Sequence, residues 1–239
     1  MSAPLSGRTA LVTGATRGIG RAIATRLLAD GAQVIGTGRA AKGQPPEGCR
    51  YEAVDFADLE ASRAFAQRMQ ALPIDILVNN AGVNKVTTFA DIAEEDFLRI
   101  QQVNVTAPFL VTRAVVPGMR ARKWGRVVSI GSIWGIKSRA GRAAYSASKF
   151  AIDGLMAALA AEAAADGVLV NTVAPGFIDT ELTRGILGPE GIAEVLKRVP
   201  AGRLGQPDEI AALVAWLVSP DNRYVNGQII AIDGGFTRA

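Results

Sequence analysis

The sequence TALVTGATRGIG, residues 9–20, joins a β-branched apolar run to a glycine cluster and then to a helical pattern. Glycines let a backbone turn sharply and approach a pyrophosphate closely, and a helix N-terminus offers free N–H groups and a partial positive charge. The spacing is GxxxGxG rather than the GxGxxG of the standard dinucleotide fingerprint. A nucleotide site and a plain tight turn both remain open, and the order strand, loop, helix favours the nucleotide site.

Short β-branched runs alternate with longer helical patterns along the rest of the chain. Strands are predicted at residues 9–13, 33–37, 50–54, 76–79, 126–130, 168–173 and 228–232. Helices are predicted at residues 18–30, 59–71, 94–122 (one long helix around Pro108), 145–165 and 207–217. Several strands are apolar throughout, as parallel strands buried on both faces are. The pattern predicts a doubly wound, seven-stranded parallel α/β sheet with helices on both faces.

No linker or internal repeat divides the 239 residues, so a single domain spanning residues 1–239 is predicted. Segment 180–200 is the least regular part, because Gly185, Gly188 and Gly191 interrupt two short helical patterns. It lies on the carboxyl side of the predicted sheet, where ligands bind in such folds. A mobile substrate lid and a plain surface excursion fit this segment equally well.

The composition excludes several kinds of chemistry. The chain has no histidine, which rules out Ser-His-Asp and Cys-His triads, His-ligated zinc and a histidine general base. Its single cysteine, Cys49, cannot form an internal disulfide, and we expect no metal site. The net charge of +4 comes from dispersed basic residues, so no nucleic-acid partner is expected. Without a signal core or a run of 18 apolar residues, no membrane partner and a cytoplasmic location are predicted.

The end of the second predicted strand distinguishes between two nicotinamide cofactors. An acidic residue there would bind the 2′-hydroxyl of NAD, whereas a basic residue accommodates the 2′-phosphate of NADP. This chain has Arg39 at that point, and Arg17 in the glycine loop could flank the same phosphate. Arg39 could also be a solvated charge at a strand end. We predict NADP(H) in preference to NAD(H).

Tyr145 is followed four residues later by Lys149 at the start of an alanine-rich helical pattern. Residues i and i+4 share one face of a helix. A phenol has an ordinary pKa of about 10, and a nearby ammonium stabilises the phenolate and makes the group a better proton shuttle near neutrality. The alternative is an exposed helix pair worth a few tenths of a kcal/mol.

With these motifs in this order, the chain resembles the short-chain dehydrogenase/reductase family, most closely the 3-oxoacyl-[acyl-carrier-protein] reductase type. The resemblance covers essentially the whole chain. It rests on TGATRGIG at residues 13–20, NNAG at residues 79–82, Asn104, Ser132 placed 13 residues before Tyr145, the Tyr145/Lys149 pair, and Pro175-Gly176 with Thr180.

The resemblance implies an NADP(H)-dependent oxidoreductase that interconverts a carbonyl and a secondary alcohol. Tyr145 would be the acid/base, and Ser132 would orient the substrate carbonyl. Lys149 would bind the nicotinamide ribose and stabilise the Tyr145 phenolate, and Asn104 would hold a water that links Lys149 to solvent. The cofactor supplies the hydride, and the protein supplies geometry and proton control.

The resemblance also implies cofactor contacts. Asp55 would reach the adenine amine, residues 80–82 would line the adenosine side, and residues 175–180 would close on the nicotinamide. The predicted cofactor-binding residues are Gly14, Thr16, Arg17, Gly18, Ile19, Gly20, Arg39, Asp55, Asn80, Ala81, Gly82, Tyr145, Lys149, Pro175, Gly176, Ile178 and Thr180.

The substrate itself is less defined. The predicted substrate residues are Ser132, Trp134, Arg139 and Tyr145. Trp134 and Arg139 would form an apolar wall with a cationic rim, which suits a carbonyl compound bearing an anionic group, such as a 3-oxoacyl thioester or a keto acid. A solvated loop fits these residues equally well. Asp166 occupies a turn where carrier-protein reductases often have a basic residue.

That departure keeps a sugar or small-alcohol dehydrogenase of the same family as the alternative. A nucleotide-sensing regulatory protein is the non-enzyme alternative. Relatives of this family usually assemble through helices like the alanine-rich segment 149–165, so a homotetramer is predicted.

Overall fold

In the computed structural model, which describes residues 3–239, seven parallel strands form one sheet with helices on both faces. The strands are β1 (Thr9–Val12), β2 (Gln33–Gly38), β3 (Arg50–Ala53), β4 (Ile76–Asn79), β5 (Gly125–Ile130), β6 (Val168–Pro175) and β7 (Ile229–Ile232). The helices are α1 (Gly18–Ala29), α2 (Leu59–Gln70), α3 (Glu94–Gln101), α4 (Ala107–Ala121), α5 (Ala143–Ala163), α6 (Glu181–Leu196) and α7 (Pro207–Val218). The predicted doubly wound α/β fold of seven strands is confirmed.

The strand order is β3-β2-β1-β4-β5-β6-β7, so the chain winds outward from β1 in both directions. The switch point between β1 and β4 opens a crevice at the carboxyl ends of these strands, which is where such sheets bind ligands. One buried cluster packs α1 and α7 against the sheet through Ile23 and Val214, and a second packs α2 and α4 on the other face through Phe65 and Val111.

Local signals at the helix ends account for several of these boundaries. The Asp58 carboxylate accepts hydrogen bonds from the N–H groups of Glu60 and Ala61, which caps α2. Helix α7 begins with a capping box between Gln206 and Glu209.

The predicted helix 94–122 is not one regular helix. A π-helical turn at Gln102–Thr106 separates α3 from α4, and Asn104 lies buried within it. Pro108 lies in the first turn of α4, where its missing N–H costs no helical hydrogen bond. The sequence prediction of uninterrupted helix is therefore wrong at this turn, because a single π-turn leaves no clear mark on the 3.6-residue pattern.

Segment 180–200 forms α6, which is broken at Gly188, a residue with φ of +63°. Pro189 follows the break, and Thr180 caps the start of the helix by accepting from the N–H of Thr183. None of the helices described in residues 3–239 is both long and apolar enough to span a membrane.

Candidate active site

The glycine loop after β1 is shaped by close backbone contacts. A Cβ atom at Gly20 would lie 2.2 Å from the carbonyl oxygen of Gly14 and 2.3 Å from the side-chain nitrogen of Asn80. Gly14 has φ of +71°, in the left-handed region that other residues rarely adopt. The Asn80 amide donates to the carbonyl oxygens of Thr13 at 2.8 Å and Gly14 at 3.1 Å, so it fastens β4 to the loop.

The start of α1 fits the pyrophosphate of a dinucleotide. Arg17 precedes the helix in an extended conformation, its side chain does not cap the helix, and the first turn carries no acidic residue. The first N–H groups of α1, which begin at Gly18 and Ile19, therefore have no side-chain partner, and a helix N-terminus with such groups favours an anion. Thr16 lies between this loop and β2, since a Cβ at Gly38 would be 2.7 Å from Thr16 Cγ2.

The residues predicted to read the adenosine end lie on the surface. Arg39 follows the last residue of β2 directly and is exposed, and no ion pair among residues 3–239 involves it. Asp55 is also exposed, and its Oδ1 accepts from the N–H of Ala57 at 3.0 Å. Arg17 is exposed as well, and its guanidinium forms an ion pair with Glu181 of α6 at 3.4 Å.

Tyr145 and Lys149 lie together at the start of α5. The Lys149 ammonium is buried, donates to the carbonyl oxygen of Ile130 at 2.7 Å, and lies 5.5 Å from the centre of the Tyr145 ring. Tyr145 is half-buried. The predicted shared face is therefore present, and it is turned towards the carboxyl end of β5.

Asn104 lies beside this pair. Its Oδ1 accepts from the N–H of Val83, and its Nδ2 donates to Val83 O at 2.9 Å and to Ser148 Oγ at 3.0 Å. A Cβ at Gly82 would be 3.4 Å from Asn104 Oδ1 and 3.9 Å from Lys149 Nζ. The loop after β4, the π-turn and α5 thus meet at one point, with Ala81 packed into the same apolar cluster.

Ser132 lies just beyond the end of β5 and is buried. Its Oγ accepts from the N–H of Trp134 at 3.2 Å and caps the short 3₁₀ segment Ile133–Gly135. That segment lies against α5, since a Cβ at Gly135 would be 3.2 Å from Lys149 Cβ. Tyr145 packs on the apolar cluster that contains Trp134. Ser132, Tyr145 and Lys149 are therefore neighbours, and Asn104 joins them through Ser148.

The residues predicted to close on the nicotinamide follow β6. Pro175 is the last residue of β6, and Gly176 has no room for a side chain because a Cβ there would lie 2.7 Å from Asp233 Cα. Ile178 is buried. Thr180 approaches the glycine loop, with its Cγ2 3.5 Å from the position of a Cβ on Gly18.

Asp153 is a site residue that the sequence analysis missed. It lies one turn after Lys149 on α5 and is buried, and neither of its carboxylate oxygens has a hydrogen-bond partner in residues 3–239. Burial raises the pKa of Asp153 to about 6, and the nearby Lys149 charge and Thr172 side chain offset this rise only in part. The spacing 145, 149, 153 could have indicated it, because residues four apart share a helix face.

Comparisons with known proteins identify the family of the chain. Residues 14–237 match the family model described as enoyl-(acyl carrier protein) reductase. The 3-oxoacyl-[acyl-carrier-protein] reductase of Vibrio cholerae is 40% identical to this chain over 97% of its length and 98% of the relative.

Two solved structures extend the comparison. One from Beutenbergia cavernae, assigned as an NAD(P)-dependent gluconate 5-dehydrogenase with bound NADP at low occupancy, has a TM-score of 0.92 at 35% identity and covers 100% of both chains. Another, a short-chain dehydrogenase/reductase family protein, has a TM-score of 0.89 at 36% identity and covers 98% of this chain and 99% of its own. Similarity in sequence and structure over nearly the whole length leads to one conclusion: the chain belongs to the short-chain dehydrogenase/reductase family of oxidoreductases.

Proposed function

We propose that this oxidoreductase uses NADP(H) to interconvert a carbonyl and a secondary alcohol, with Tyr145 as the acid/base. The observation that carries the proposal is the position of the Lys149 ammonium, 5.5 Å from the Tyr145 ring and held by Ile130 O at the carboxyl end of the sheet. This is the same edge of the sheet as the glycine loop. Both groups therefore face the crevice that a dinucleotide occupies in this kind of fold.

Bound nicotinamide cofactor would supply or accept the hydride at this crevice. In the reductive direction, the Tyr145 hydroxyl donates its proton to the substrate oxygen, and in the oxidative direction it takes that proton back. The buried Lys149 charge stabilises the phenolate left on Tyr145, and this attraction is stronger inside the protein than in water. Ser132 Oγ donates a hydrogen bond to the same substrate oxygen and fixes its orientation.

Asn104 acts on the pair through its contacts. Its two bonds to the Val83 backbone and its bond to Ser148 Oγ fasten the π-turn to α5. Oδ1 retains a lone pair, since a carbonyl oxygen can accept two hydrogen bonds. The predicted water that links Lys149 to solvent stays a prediction, and Asn104 Oδ1 is its proposed anchor.

The cofactor would be held along the carboxyl edge of the sheet. N–H groups at residues 18–20 take the pyrophosphate, Arg39 takes the 2′-phosphate, and Lys149 takes the ribose hydroxyls beside the nicotinamide. Bound NADP in the Beutenbergia cavernae protein supports the choice of NADP(H). The same proposal includes the remaining predicted contacts: Asp55 at the adenine, residues 80–82 along the adenosine, and residues 175–180 at the nicotinamide.

A 3-oxoacyl thioester is the first candidate substrate, and the Vibrio cholerae relative supports it. A sugar or small alcohol is the second, and one observation favours it. Asp166 accepts hydrogen bonds from Arg120 at 2.6 Å and Lys123 at 2.5 Å, so its single negative charge offsets one of the two positive charges beside that turn. An acidic carrier protein would therefore find less positive charge there. The gluconate 5-dehydrogenase assignment of the Beutenbergia cavernae neighbour points the same way.

We also propose that α6 serves as the substrate lid. Its N-cap residue Thr180 lies beside the glycine loop, and Leu187 and Val195 of the helix pack on the aromatic cluster around Trp134. The break at Gly188 gives the segment a point about which its two halves can move.

A homotetramer is proposed from the outer face of α5. Phe150 is 50% exposed there, and the same face carries small residues that let another helix approach closely. They are Ala147, Gly154, Ala157, Ala158 and Ala161. The predicted cytoplasmic location stays a prediction.

One assay tests the proposed function: the decay of NADPH absorbance with a panel of carbonyl compounds, alongside a titration of NADPH binding by fluorescence. The proposal expects both binding and oxidation. Binding without oxidation of NADPH by any carbonyl would instead support a nucleotide-sensing protein, and loss of both would contradict the proposal.

A further inference from the structure

Arg142 is a buried cation without a partner. It precedes the first residue of α5 and is only 6% exposed. Its Nε is fully buried without a hydrogen-bond partner, and no side-chain hydrogen bond or ion pair in the described residues 3–239 involves its guanidinium. Burying an unpaired charge is costly, and proteins normally pair such groups. The isolation of Arg142 therefore requires an explanation.

Arg126 shows how this fold treats a buried arginine that has only a structural role. It is 5% exposed, and its Nε, like that of Arg142, has no hydrogen-bond partner in the described residues. Its terminal nitrogens, however, donate to the carbonyl oxygens of Gly125 at 2.9 Å, Gly167 at 3.3 Å and Asn222 at 2.9 Å. Arg142 has no comparable set of acceptors. The terminal nitrogens of Arg142 are not among the fully buried atoms, so they remain available to an acceptor from outside the chain.

The surroundings of Arg142 place it at the substrate side of the site. Its guanidinium lies 5.8 Å from the centre of the Trp134 ring, and the exposed Arg139 lies 5.8 Å from the same ring. Tyr145 follows Arg142 by three residues and lies close enough for a negative charge on its hydroxyl to raise the pKa of Arg142. Burial and repulsion from Arg139 both lower the pKa of Arg142.

The other cations on this aromatic cluster are compensated. Lys137, 4.5 Å from the centre of the Phe236 ring, donates to Phe236 O at 3.3 Å, and its charge acts on Asp233. Arg198 lies 5.4 Å from the centre of the same ring, and its charge acts on Glu194. No acidic side chain among residues 3–239 forms an ion pair with Arg139 or Arg142. These two guanidinium groups are thus an uncompensated positive pair beside the proposed acid/base.

We propose that Arg142, assisted by Arg139, binds a carboxylate of the substrate, and that the substrate is therefore an oxo acid or its hydroxy-acid counterpart. The inference deepens the proposed function and rests on it. A guanidinium matches a carboxylate with two parallel hydrogen bonds. Because Tyr145 lies within one helical turn, the carboxylate would be a few bonds away from the carbon that changes oxidation state. Trp134 would face the apolar part of the substrate.

The test compares three oxo acids with their methyl esters as substrates of the NADPH-loaded enzyme: pyruvate, acetoacetate and levulinate, with the carbonyl at carbon 2, 3 and 4. Wild type should reduce at least one acid better than its ester. Arg142→Gln should lower kcat/KM for that acid by about 30-fold or more, as the loss of a hydrogen bond to a charged group does, and leave the ester within about threefold. Arg68→Gln is the matched control, since Arg68 also stacks on an aromatic ring, 5.6 Å from the centre of Phe65, and should change neither.

A binding measurement keeps the inference testable without turnover. Malonate should raise the Tm of the NADPH-loaded wild type but not of Arg142→Gln. If Arg142→Gln does not fold, two other variants replace it. Arg142→Lys keeps the charge but loses the paired geometry, and Arg139→Gln changes an exposed position. Each should reduce both the preference for the acid over its ester and the rise in Tm caused by malonate.

The two failures are distinguishable. The carboxylate site is overturned, and the proposed function stands, if Arg142→Gln loses equal activity towards acids and esters. The same conclusion follows if malonate does not raise the Tm of the wild type while carbonyl compounds are reduced. Malonate protection that depends on Arg142, with no NADPH oxidation by any carbonyl compound, supports the site and overturns the proposed function.

Discussion

The ammonium of Lys149 lies 5.5 Å from the centre of the Tyr145 ring and donates to the carbonyl oxygen of Ile130 at 2.7 Å. The helix α5 thereby carries a proton-transfer candidate and its counter-charge one turn apart, and the end of β5 fixes the position of the charge. Because Lys149 is only 5% exposed, solvent and salt screen its charge little. This arrangement is the basis of the proposed proton transfer by Tyr145.

Arg39→Asp should reverse the cofactor preference. A carboxylate at the end of β2 repels the 2′-phosphate of NADPH and accepts a hydrogen bond from the 2′-hydroxyl of NADH. The ratio of kcat/KM for NADPH to that for NADH should fall by about 100-fold or more, given the size of hydrogen bonds to charged groups. Arg63→Asp, on the exposed side of α2, is the control. An unchanged ratio in Arg39→Asp, or a wild type that prefers NADH, would show that Arg39 does not read the phosphate.

Asn80→Ala should loosen the glycine loop. It leaves the carbonyl oxygens of Thr13 and Gly14 without their side-chain donor, which should weaken NADPH binding about tenfold in a fluorescence titration. Asn226 bonds two backbone groups at the other end of the sheet, Ala160 O at 3.0 Å and Val170 N at 2.8 Å. Asn226→Ala should therefore lower stability without weakening NADPH binding. Equal effects of the two variants on binding would contradict a specific role for Asn80.

Asp153→Asn should stabilise the protein at neutral pH. The pKa of Asp153 is about 6 in the folded protein against an ordinary 3.8, so between these values the folded state keeps a proton that the unfolded state has lost. Wild-type stability should thus fall as pH rises from about 4 through about 6, with a total cost of at most about 3 kcal/mol above that range.

The measurement is Tm against pH at a fixed protein concentration. The Tm of Asp153→Asn should exceed that of wild type by several degrees at pH 8, and the difference should disappear near pH 4. Asp221→Asn, at an exposed position, should follow wild type throughout. A constant difference between Asp153→Asn and wild type at every pH would rule out ionisation of Asp153 as the cause.

Phe150→Glu should break the proposed tetramer into smaller species. The substitution places a charge on the exposed apolar face of α5. In the tetramer a neighbouring subunit would bury this charge away from water, which is unfavourable. Light scattering should give a tetramer mass for wild type and for Phe89→Glu, a control at an 82% exposed phenylalanine outside α5. A monomer mass for wild type would contradict the homotetramer.

Most of the fold follows from periodicity and glycine placement. Runs separated by helical patterns predicted all seven strands to within two residues at each end. The signal is strongest for strands such as β4 and β5, which are buried throughout, as parallel strands covered on both faces are. The π-turn around Asn104 left no such signal. The helix break at Gly188 was visible as interrupted helical patterns, but the contact of Thr180 with the glycine loop depends on where the sheet places them.

The site was predictable where spacing along the chain sets it. Tyr145 and Lys149 share a face by helical geometry, and Gly14 to Gly20 form a loop by local backbone preference. The hydrogen bonds by which Asn80 holds the glycine loop, and the lack of an acceptor for Arg142, were not predictable, since they depend on how elements distant in sequence pack together. Burial of Asp153 likewise arises from the packing of segment 131–135 over α5.

The most direct test of the account is the rate of NADPH oxidation by Tyr145→Phe with the best carbonyl substrate of the wild type, measured beside NADPH binding. Removing one hydroxyl should lower kcat by about 1,000-fold, as expected for loss of a general acid, and leave the Kd for NADPH within about twofold. A Tyr145→Phe enzyme that keeps the wild-type rate would contradict the assignment of Tyr145 as the proton donor.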